Sequence, residues 1–466
     1  MKTQLFTAVC LLMLLSCNSN NNKKTEAPTT KNGTMEKTGN FPRATWVSNT
    51  NVYEVNVRQY TKEGTFNAFA AELPRLKLMG VETIWFMPIT PIAQKNKKGT
   101  LGSPYACSDY TGINPEFGTL EDFKNLVNSA HAMGMKVIID WVANHTGWDH
   151  RWTKEHPDYY LMDSSTNDFH IASGMDDIIE LNFANPALRK AMIDAMNYWV
   201  TETKIDGFRC DLASWVEQDF WVEARTALEK TKNLFWLAEL DPTENQNYME
   251  VFDAAYSWKW MHLTEDYYKK QLPLADLKNL LMQYDSTGRE NHLKLWFTTN
   301  HDENSWNGTE YEKYGAMAQT LAAFSFTWKG IPLIYSGQEL PNNKRLEFFE
   351  KDAIQWNGKY LVAPMYTDFL KLRKEHKALN ASDSSKTFLL HSDNAENQLL
   401  GYLRKNGDDE VLVLLNMSKE FLKFKITDNV FSGNFRAAYS TGETIDFTSN
   451  KSFEMQPWEY LIYVKQ

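Results

Sequence analysis

The chain has 466 residues, of which 43% are hydrophobic and 23% are charged. This ordinary globular composition excludes a wholly disordered chain, a collagen and a coiled coil. The formal net charge is −10. No Lys/Arg cluster is dense enough to form a nucleic-acid footprint, so we expect neither DNA nor RNA as the main partner.

The N-terminus has the features of an export signal. Lys2 carries a positive charge ahead of an apolar run from Leu5 to Leu15, which is too short to span a bilayer but suits a secretory signal. A small residue, Ser16, directly precedes Cys17. Residues 1–17 therefore resemble a bacterial lipoprotein signal, whose cleavage leaves a lipidated Cys17 at the new N-terminus. The alternative is an ordinary signal peptide that happens to contain a cysteine.

Residues 18–44 are predicted to form a flexible tether. The stretch from Asn18 to Asn40 is rich in Asn, Lys and Thr, and it has too little apolar surface to offset its ordering entropy. We therefore expect the protein at the cell envelope, held to a membrane through its N-terminal lipid alone. The absence of an acidic run favours the periplasmic face over the cell surface.

Between residues 45 and 382, short apolar runs alternate with amphipathic helices. Helix signals include Asn185-Pro186, an N-cap followed by proline at the first helical position. Eight crossover-linked strands predict an α/β fold, a (β/α)₈ TIM barrel, and the long connection at 146–179 predicts a small excursion domain after the third strand. The predicted strands are Val52–Val57, Val81–Ile89, Lys136–Val142, Gly207–Ala213, Leu234–Leu240, Phe252–Trp258, Leu293–Thr299 and Ile331–Ser336.

Residues 383–466 follow a different pattern. Seven short strand-like runs are joined by Asn-Gly, Ser-Gly and Thr-Gly turns, and no helical periodicity comes between them. This segment is predicted to be a C-terminal antiparallel β-sandwich.

Polar side chains cluster at the predicted carboxyl ends of the barrel strands, where the active sites of such barrels lie. Asp140 lies near the end of the third strand and Glu239 near the end of the fifth, and Asp302 follows the seventh. In the fourth strand, the period-two rule places Arg209 and Asp211 on the same face, toward the barrel mouth. Asp140 is interpreted as a structural partner of Arg209, since a buried guanidinium needs a matching carboxylate.

Three carboxylates at the ends of three strands, those of Asp211, Glu239 and Asp302, indicate glycoside hydrolysis. In that chemistry one carboxylate attacks the anomeric carbon and a second protonates the leaving oxygen. Taken singly, His145 and His301 are more typical of core histidines. Beside Asp211, Glu239 and Asp302, they are interpreted as functional.

Four segments, in chain order, resemble the four sequence regions of the α-amylase family of glycoside hydrolases (family 13). Weaker similarity extends to the second strand, at Val81–Trp85, and to the eighth, at Gly330–Pro332. The resemblance covers roughly residues 45 to 465. The four segments are Asp140 to His145, Gly207 to Asp211, Glu239 and Asn300 to Asp302.

The resemblance implies a retaining α-glucan hydrolase that cleaves α-1,4-glucosidic bonds of starch, glycogen or maltooligosaccharides by double displacement. It implies that Asp211 is the nucleophile and Glu239 the general acid and then base. Asp302 would bind ring hydroxyls and favour the oxocarbenium-like sugar, and Arg209 would orient Asp211.

The resemblance also implies the residues that contact the sugar. Tyr105, four residues before Asp109, matches the family's stacking tyrosine, and its neutral aromatic face suits a sugar with developing positive charge. His145 and His301 would hydrogen-bond the sugar in the cleavage subsite. The alternative for Tyr105 is loop packing.

No cofactor is required for this chemistry, and the sequence leaves a structural calcium open. Asn144 and Asp177 are candidate ligands, because oxygen donors suit Ca²⁺. However, Trp215 occupies the position where amylases often carry a histidine, four residues after the nucleophile. The alternative is that Asn144 only makes structural hydrogen bonds.

The sequence also leaves the specificity open. The segment Leu212–Ser214 matches neither the typical endo-amylase nor the typical α-1,6-glucosidase pattern. Endo or exo action, and hydrolysis or transglycosylation, are therefore alternatives within the family. A non-catalytic glucan-capture lipoprotein on the same fold is a further alternative, which the complete carboxylate set disfavours.

Overall fold

The computed structural model describes residues 41–287, 292–358, 360–381, 384–439 and 444–466. The strands are β1 Val52–Val55, β2 Thr83–Phe86, β3 Lys136–Trp141, β4 His145–Gly147, β5 Met162–Asp163, β6 Asp168–Phe169, β7 Ile178–Glu180, β8 Gly207–Cys210, β9 Phe235–Ala238, β10 Ala254–Tyr256, β11 Leu293–Trp296, β12 Ile331–Tyr335, β13 Lys386–Leu390, β14 Leu399–Asn406, β15 Asp409–Asn416, β16 Leu422–Lys425, β17 Asn434–Ala437, β18 Thr444–Asp446, β19 Ser452–Met455 and β20 Tyr460–Lys465. The α-helices are α1 Val57–Tyr60, α2 Phe66–Ala70, α3 Leu73–Met79, α4 Leu120–Ala132, α5 Trp152–Glu155, α6 Pro186–Thr203, α7 Gln218–Leu228, α8 Trp258–Lys270, α9 Leu274–Ser286, α10 Glu310–Tyr314, α11 Ala318–Thr327 and α12 Ala363–Glu375.

Eight parallel strands close into a barrel in the order β1-β12-β11-β10-β9-β8-β3-β2. The predicted TIM barrel is therefore confirmed, and each predicted strand contains one of the eight. The observed strands are shorter than the predicted ones because the apolar runs continue into the buried loops at the strand ends.

Alternation along the strands builds two core layers. In β1, Val52 belongs to the cluster inside the barrel, whereas Tyr53 and Val55 belong to the layer between the barrel and its helices. The same alternation in β8 directs Phe208 and Cys210 outward. Polar side chains at the intervening positions of β1 and β8 are thereby directed toward the barrel axis.

Local sequence signals fix the long helices of this outer layer. Asn185 caps α6 by accepting a hydrogen bond from the Ala187 N–H at 2.9 Å, and Pro186 occupies the first helical position. Thr119 and Asp122 form a capping box at the start of α4. Both helices pack buried apolar faces against the barrel.

The connection after β3 forms the predicted excursion. It is closed by the antiparallel ladder β4–β7, in which His145 pairs with Glu180 and Gly147 with Ile178. The short hairpin β5–β6 lies between these two strands. This ladder begins directly at the end of β3, so His145 is held at the mouth of the barrel.

The C-terminal segment forms the predicted sandwich. A six-stranded antiparallel sheet, β13-β14-β15-β20-β17-β18, faces the two-stranded sheet β16-β19. Leu403 and Leu412 lie in the core between the sheets, while Tyr402 and Val413, on the opposite face, join the barrel's outer core. The seven predicted strand-like runs do not include β19, because this strand presents only Phe453 and Met455 as apolar residues.

The chain packs against the barrel earlier than the predicted tether boundary at residue 44. Ala44 is buried inside the base of the barrel, and the Phe41 ring lies 4.9 Å from the Arg225 guanidinium carbon. The predicted signal with Cys17, and residues 18–40, lie outside the described residues. Within the described ranges, no helix has the length and apolar character needed to cross a bilayer.

Candidate active site

Arg209 lies at the centre of the polar groups at the barrel mouth. Its Nη1 donates to Asp140 Oδ1 at 3.0 Å and to Asp211 Oδ1 at 2.8 Å. Its Nη2 lies 3.0 Å from Glu239 Oε1. Three carboxylates from the ends of β3, β8 and β9 therefore share a single guanidinium. Strand alternation predicts this contact for Asp211, and the need to match a buried charge predicts it for Asp140.

Aromatic side chains complete the enclosure of this fully buried cation. Its Nε donates to the Tyr256 hydroxyl at 3.1 Å, and its guanidinium carbon lies 5.0 Å from the Trp85 ring centroid. Burying an isolated charge would be costly. The carboxylates and π-faces around Arg209 compensate that cost and hold its side chain in one position.

Burial governs the protonation of the two carboxyls that contact Arg209 on its cleft side. It raises the pKa of Asp211 to about 6, against the opposing effect of Arg209 and with a contribution from Asp140. It raises the pKa of Glu239 to about 7, opposed by Arg209 and reinforced by Asp211 and Asp302. Near neutral pH, Asp211 is thus ionised while Glu239 retains a proton in a sizeable fraction of molecules.

The backbone after β8 contributes to the position of Glu239. Leu212 has a φ of 41° and a ψ of 45°, a left-handed conformation that is rare for a branched residue. In this conformation the Leu212 N–H donates to Glu239 Oε2 at 2.8 Å. The strained turn thus fixes the general-acid candidate, as local strain often does at functional sites.

His301 links the first and second barrel strands to the site. Its Nδ1 lies 2.5 Å from Glu54 Oε1, and its Nε2 lies 2.7 Å from the Tyr105 hydroxyl. That hydroxyl donates onward to Asp140 Oδ2 at 3.0 Å. A protonated imidazole satisfies both contacts, because each ring nitrogen then donates a hydrogen bond.

The charge on His301 is set by its acidic neighbours. Burial lowers the pKa of His301, but Asp302 and Glu54 outweigh that effect and raise it to about 9. Asp302 Oδ2 lies 3.3 Å from His301 Nε2. The Tyr105 ring stacks on His301, with centroids 5.4 Å apart and an interplanar angle of 12°.

Asp302 is the carboxylate most open to the cleft. Its side chain is 36% exposed, against 8% for Asp211 and 10% for Glu239. A ligand that enters the cleft would therefore contact Asp302 first. It would then cover Asp211 and Glu239, which are less exposed.

His145 lies at the same mouth in a different protonation state. Burial lowers its pKa to about 4, so the imidazole is neutral. Its Nδ1 lies 3.2 Å from Asn144 Nδ2, and its Nε2 makes no hydrogen bond with any described residue.

Glu54 and Tyr256 are site residues that sequence reasoning missed. Glu54 is fully buried and contacts His301, and Tyr256 accepts a hydrogen bond from Arg209. A usable signal existed for Glu54, because it is an acidic residue inside the apolar run Val52–Val55. For Tyr256, one aromatic residue in an apolar strand carries no comparable signal.

The two candidate calcium ligands do not meet. Asn144 and Asp177 flank opposite ends of the β4–β7 ladder, which at ~3.4 Å per residue separates them by more than about 10 Å. A calcium ion binds its oxygen ligands at about 2.3–2.6 Å. Asp176 also pairs with Lys98, whose ammonium disfavours a cation there. Among the described residues, no group of three or more His, Cys, Asp or Glu is arranged to hold a metal.

The fold and the site together define a class of protein. A TIM barrel carries two carboxyls, Asp211 and Glu239, at adjacent strand ends on one guanidinium, with a third carboxylate open to the cleft. That combination is the apparatus of a carboxylate-based glycoside hydrolase.

Comparison with known proteins specifies the class further. The family model described as "Alpha amylase, catalytic domain" matches residues 21–174 and 157–387. Alpha-amylase 2 of Dictyoglomus thermophilum is 24% identical over 441 residues, covering 85% of this chain and 74% of that protein. A cyclomaltodextrinase from a Bacillus species is 24% identical over 400 residues, covering 79% and 68%.

Comparison with solved structures indicates the same family. A maltogenic α-amylase from Thermotoga neapolitana superposes with a TM-score of 0.81 at 28% identity, covering 90% of this chain and 99% of that one. An α-amylase from Lactobacillus plantarum gives 0.80, also at 28% identity, covering 91% and 100%. The chain belongs to the α-amylase family of glycoside hydrolases. It hydrolyses O-glycosyl bonds of α-1,4-glucans.

Proposed function

We propose that Asp211 is the nucleophile, Glu239 the acid and base, and Asp302 the substrate-binding carboxylate of a retaining α-glucan hydrolase. The observation that supports this assignment is the shared guanidinium of Arg209, which contacts Asp211 at 2.8 Å and Glu239 at 3.0 Å. Two carboxyls on one guanidinium are close neighbours, as a retaining mechanism requires, since inversion needs a wider gap for a water molecule.

In the first step, an Asp211 oxygen attacks the anomeric carbon as the bond to the leaving oxygen breaks. Glu239 gives its proton to that oxygen, so the shortened glucan departs as an alcohol. The product is a glycosyl ester on Asp211. In the second step, water attacks the anomeric carbon, Glu239 takes its proton, and the ester bond breaks. Two inversions leave the configuration unchanged.

The neighbouring residues stabilise the charge that develops on the sugar. Asp302, the open carboxylate, would bind ring hydroxyls, and the Tyr105 face would lie against the electron-poor ring. His145, held neutral, would hydrogen-bond a sugar hydroxyl. His301, held protonated, would do so through Nε2 by sharing the contact that this nitrogen makes with the Tyr105 hydroxyl. Arg209 keeps Asp211 ionised and oriented.

Product analysis tests the proposal. We expect maltooligosaccharides to be cleaved with the α-anomer released first, as followed by proton NMR, and Asp211→Asn to abolish turnover while the protein stays folded. Initial release of the β-anomer, or near-wild-type activity of Asp211→Asn, would contradict the mechanism. Pullulan and isomaltose, tested in parallel with starch, distinguish α-1,4 from α-1,6 cleavage, and a high acceptor concentration reveals transglycosylation.

We also propose that the protein is lipid-anchored at the cell envelope through Cys17. The support is the sequence alone: an apolar run that ends directly before Ser16-Cys17, followed by a polar stretch. A Cys17→Ser variant should move from the membrane fraction to the soluble fraction. Continued incorporation of labelled lipid into that variant would contradict the anchor.

Calcium dependence stays a prediction of the family resemblance. Asn144 and Asp177, at opposite ends of the β4–β7 ladder, do not fit a shared calcium site. A fall in the melting temperature on chelation, reversed by added Ca²⁺, would support a structural ion held by other groups. An unchanged melting temperature would contradict it.

A further inference from the structure

A group of aromatic rings continues outward from the stacked rings of His301 and Tyr105. Phe348 lies against Tyr105, with centroids 6.1 Å apart and an interplanar angle of 20°. Trp306 lies 5.3 Å from Phe348 and 5.6 Å from Phe349. We refer to Phe348, Phe349 and Trp306 as the aromatic platform.

The platform is exposed although its rings are large. Trp306 is 52% exposed, and Phe348 and Phe349 are only partly buried. Apolar surface of this size stays in contact with water at a free-energy cost, and a contiguous aromatic patch of this kind marks a binding surface.

Hydrogen bonds hold the platform rigidly from both sides. The turn that carries Trp306, Glu303–Asn307, is tied to the neighbouring loop by Asn304, whose Oδ1 accepts from the Leu346 N–H at 2.9 Å. On the other side, Gln59 Nε2 donates to the carbonyls of Glu347 at 2.8 Å and Glu350 at 3.0 Å. The rings are thus positioned before a ligand arrives, which lowers the entropic cost of binding.

The barrel order indicates which part of the substrate reaches the platform. Trp306 follows β11, Phe348 follows β12, and Tyr105, which Phe348 contacts, follows β2. The platform and Tyr105 therefore lie over the arc from β11 through β1 to β2. Glu239 follows β9, on the far side of the closed barrel. Because the acid stands beside the leaving oxygen, the departing part of the glucan lies toward β9 and the retained part toward β1.

We propose that the aromatic platform binds the glucosyl units on the retained, non-reducing side of the cleaved bond. One face of a pyranose ring presents only C–H bonds and packs on an aromatic ring, while its hydroxyls stay in water. This inference rests on the proposed function, since it uses the position of Glu239 as the acid. It makes Trp306 a determinant of affinity for chains longer than one glucose unit.

Calorimetric titration of an inactive parent tests the proposal. In the Asp211→Asn background, adding Trp306→Ala should raise the Kd for maltotetraose about tenfold, while Trp306→Phe, which keeps an aromatic face, should stay within about threefold. Phe421→Ala is the matched control, since Phe421 in the C-terminal domain is 51% exposed against 52% for Trp306, and it should leave the Kd unchanged.

Three results would contradict the proposal that the platform binds the substrate. They are an unchanged Kd in Trp306→Ala, an equal loss in Phe421→Ala, or no binding of maltotetraose by the parent at millimolar concentration. The proposed mechanism is tested by a different measurement, since sugar release by the Asp211→Asn parent would contradict it. Because one test measures binding and the other measures turnover, the two failures are distinguishable.

Discussion

At the scale of single residues, the site depends on one enclosed cation shared by several acids. Arg209 opposes the rise in pKa that burial causes in Asp211 and Glu239. Burial nevertheless dominates for both carboxyls, and their pKa values stay raised, to about 6 for Asp211 and about 7 for Glu239. This order of pKa values is the one that the proposed nucleophile and the proposed acid require.

These pKa values predict a bell-shaped pH dependence of kcat/KM. Below about pH 6, Asp211 becomes protonated and cannot attack. Above about pH 7, Glu239 loses the proton that it must donate. The measurement is the initial rate on maltotriose as a function of pH, from about pH 4 to about pH 9. Full activity at about two pH units above the alkaline limb would contradict the role of Glu239.

Glu54 is predicted to be a positioning residue that acts through His301. Glu54→Gln keeps a hydrogen-bond acceptor but removes one of the two charges that raise the pKa of His301, so that pKa should fall while Asp302 still opposes the effect of burial. We expect kcat/KM to fall about tenfold and the alkaline limb to move to lower pH. An unshifted pH profile with a lowered melting temperature would indicate a purely structural role.

At the scale of elements, β8, which directly precedes Asp211, lies in close contact with β9. A Cβ at Gly207 would lie 2.1 Å from the Phe235 carbonyl oxygen, and backbone atoms cannot move aside as a side chain does. Glycine is therefore required at the start of the strand that ends in Arg209 and Asp211.

Gly207→Ala should accordingly destabilise the protein by at least about 3 kcal/mol, since it forces two barrel strands apart. Gly401→Ala is the matched control, because its nearest neighbour is the end of the Leu414 side chain at 3.3 Å. Chemical denaturation should show a large loss of stability for the first variant and a small one for the second. Equal losses would refute the backbone explanation.

At the scale of the whole molecule, the C-terminal sheet shares the core of the barrel. The Tyr402 ring lies 4.9 Å from Trp328, and its hydroxyl lies 2.5 Å from Thr327 Oγ1. Arg404 on the same strand donates to the Asn380 carbonyl at 3.1 Å. We expect the barrel and the sandwich to unfold together.

Tyr402→Ala tests this coupling. Removing a fully buried ring should cost about 3–5 kcal/mol and lower the temperature of one transition, with circular dichroism and loss of hydrolytic activity changing together. Phe421→Ala should leave that temperature nearly unchanged, because its ring is exposed. Two separate transitions in the Tyr402 variant would contradict a shared core.

The sequence alone determined the barrel, the sandwich and the candidate carboxylates. Buried parallel strands are continuous apolar runs, and polar residues at their carboxyl ends interrupt those runs visibly. Asp140, Arg209 and Asp211 were therefore predictable from local pattern, and the structure brings them together. The family resemblance added the separate roles of Asp211, Glu239 and Asp302.

Only the tertiary structure decided which distant groups meet. Glu54 and His301 lie 247 residues apart in the chain and 2.5 Å apart in space, because barrel closure makes β1 the neighbour of the last strands. The same closure brings Phe348 to Tyr105, whereas the β4–β7 register keeps Asn144 and Asp177 apart. Local sequence patterns encode which face a side chain occupies, but strand order and register, set by packing of the whole chain, determine its partners.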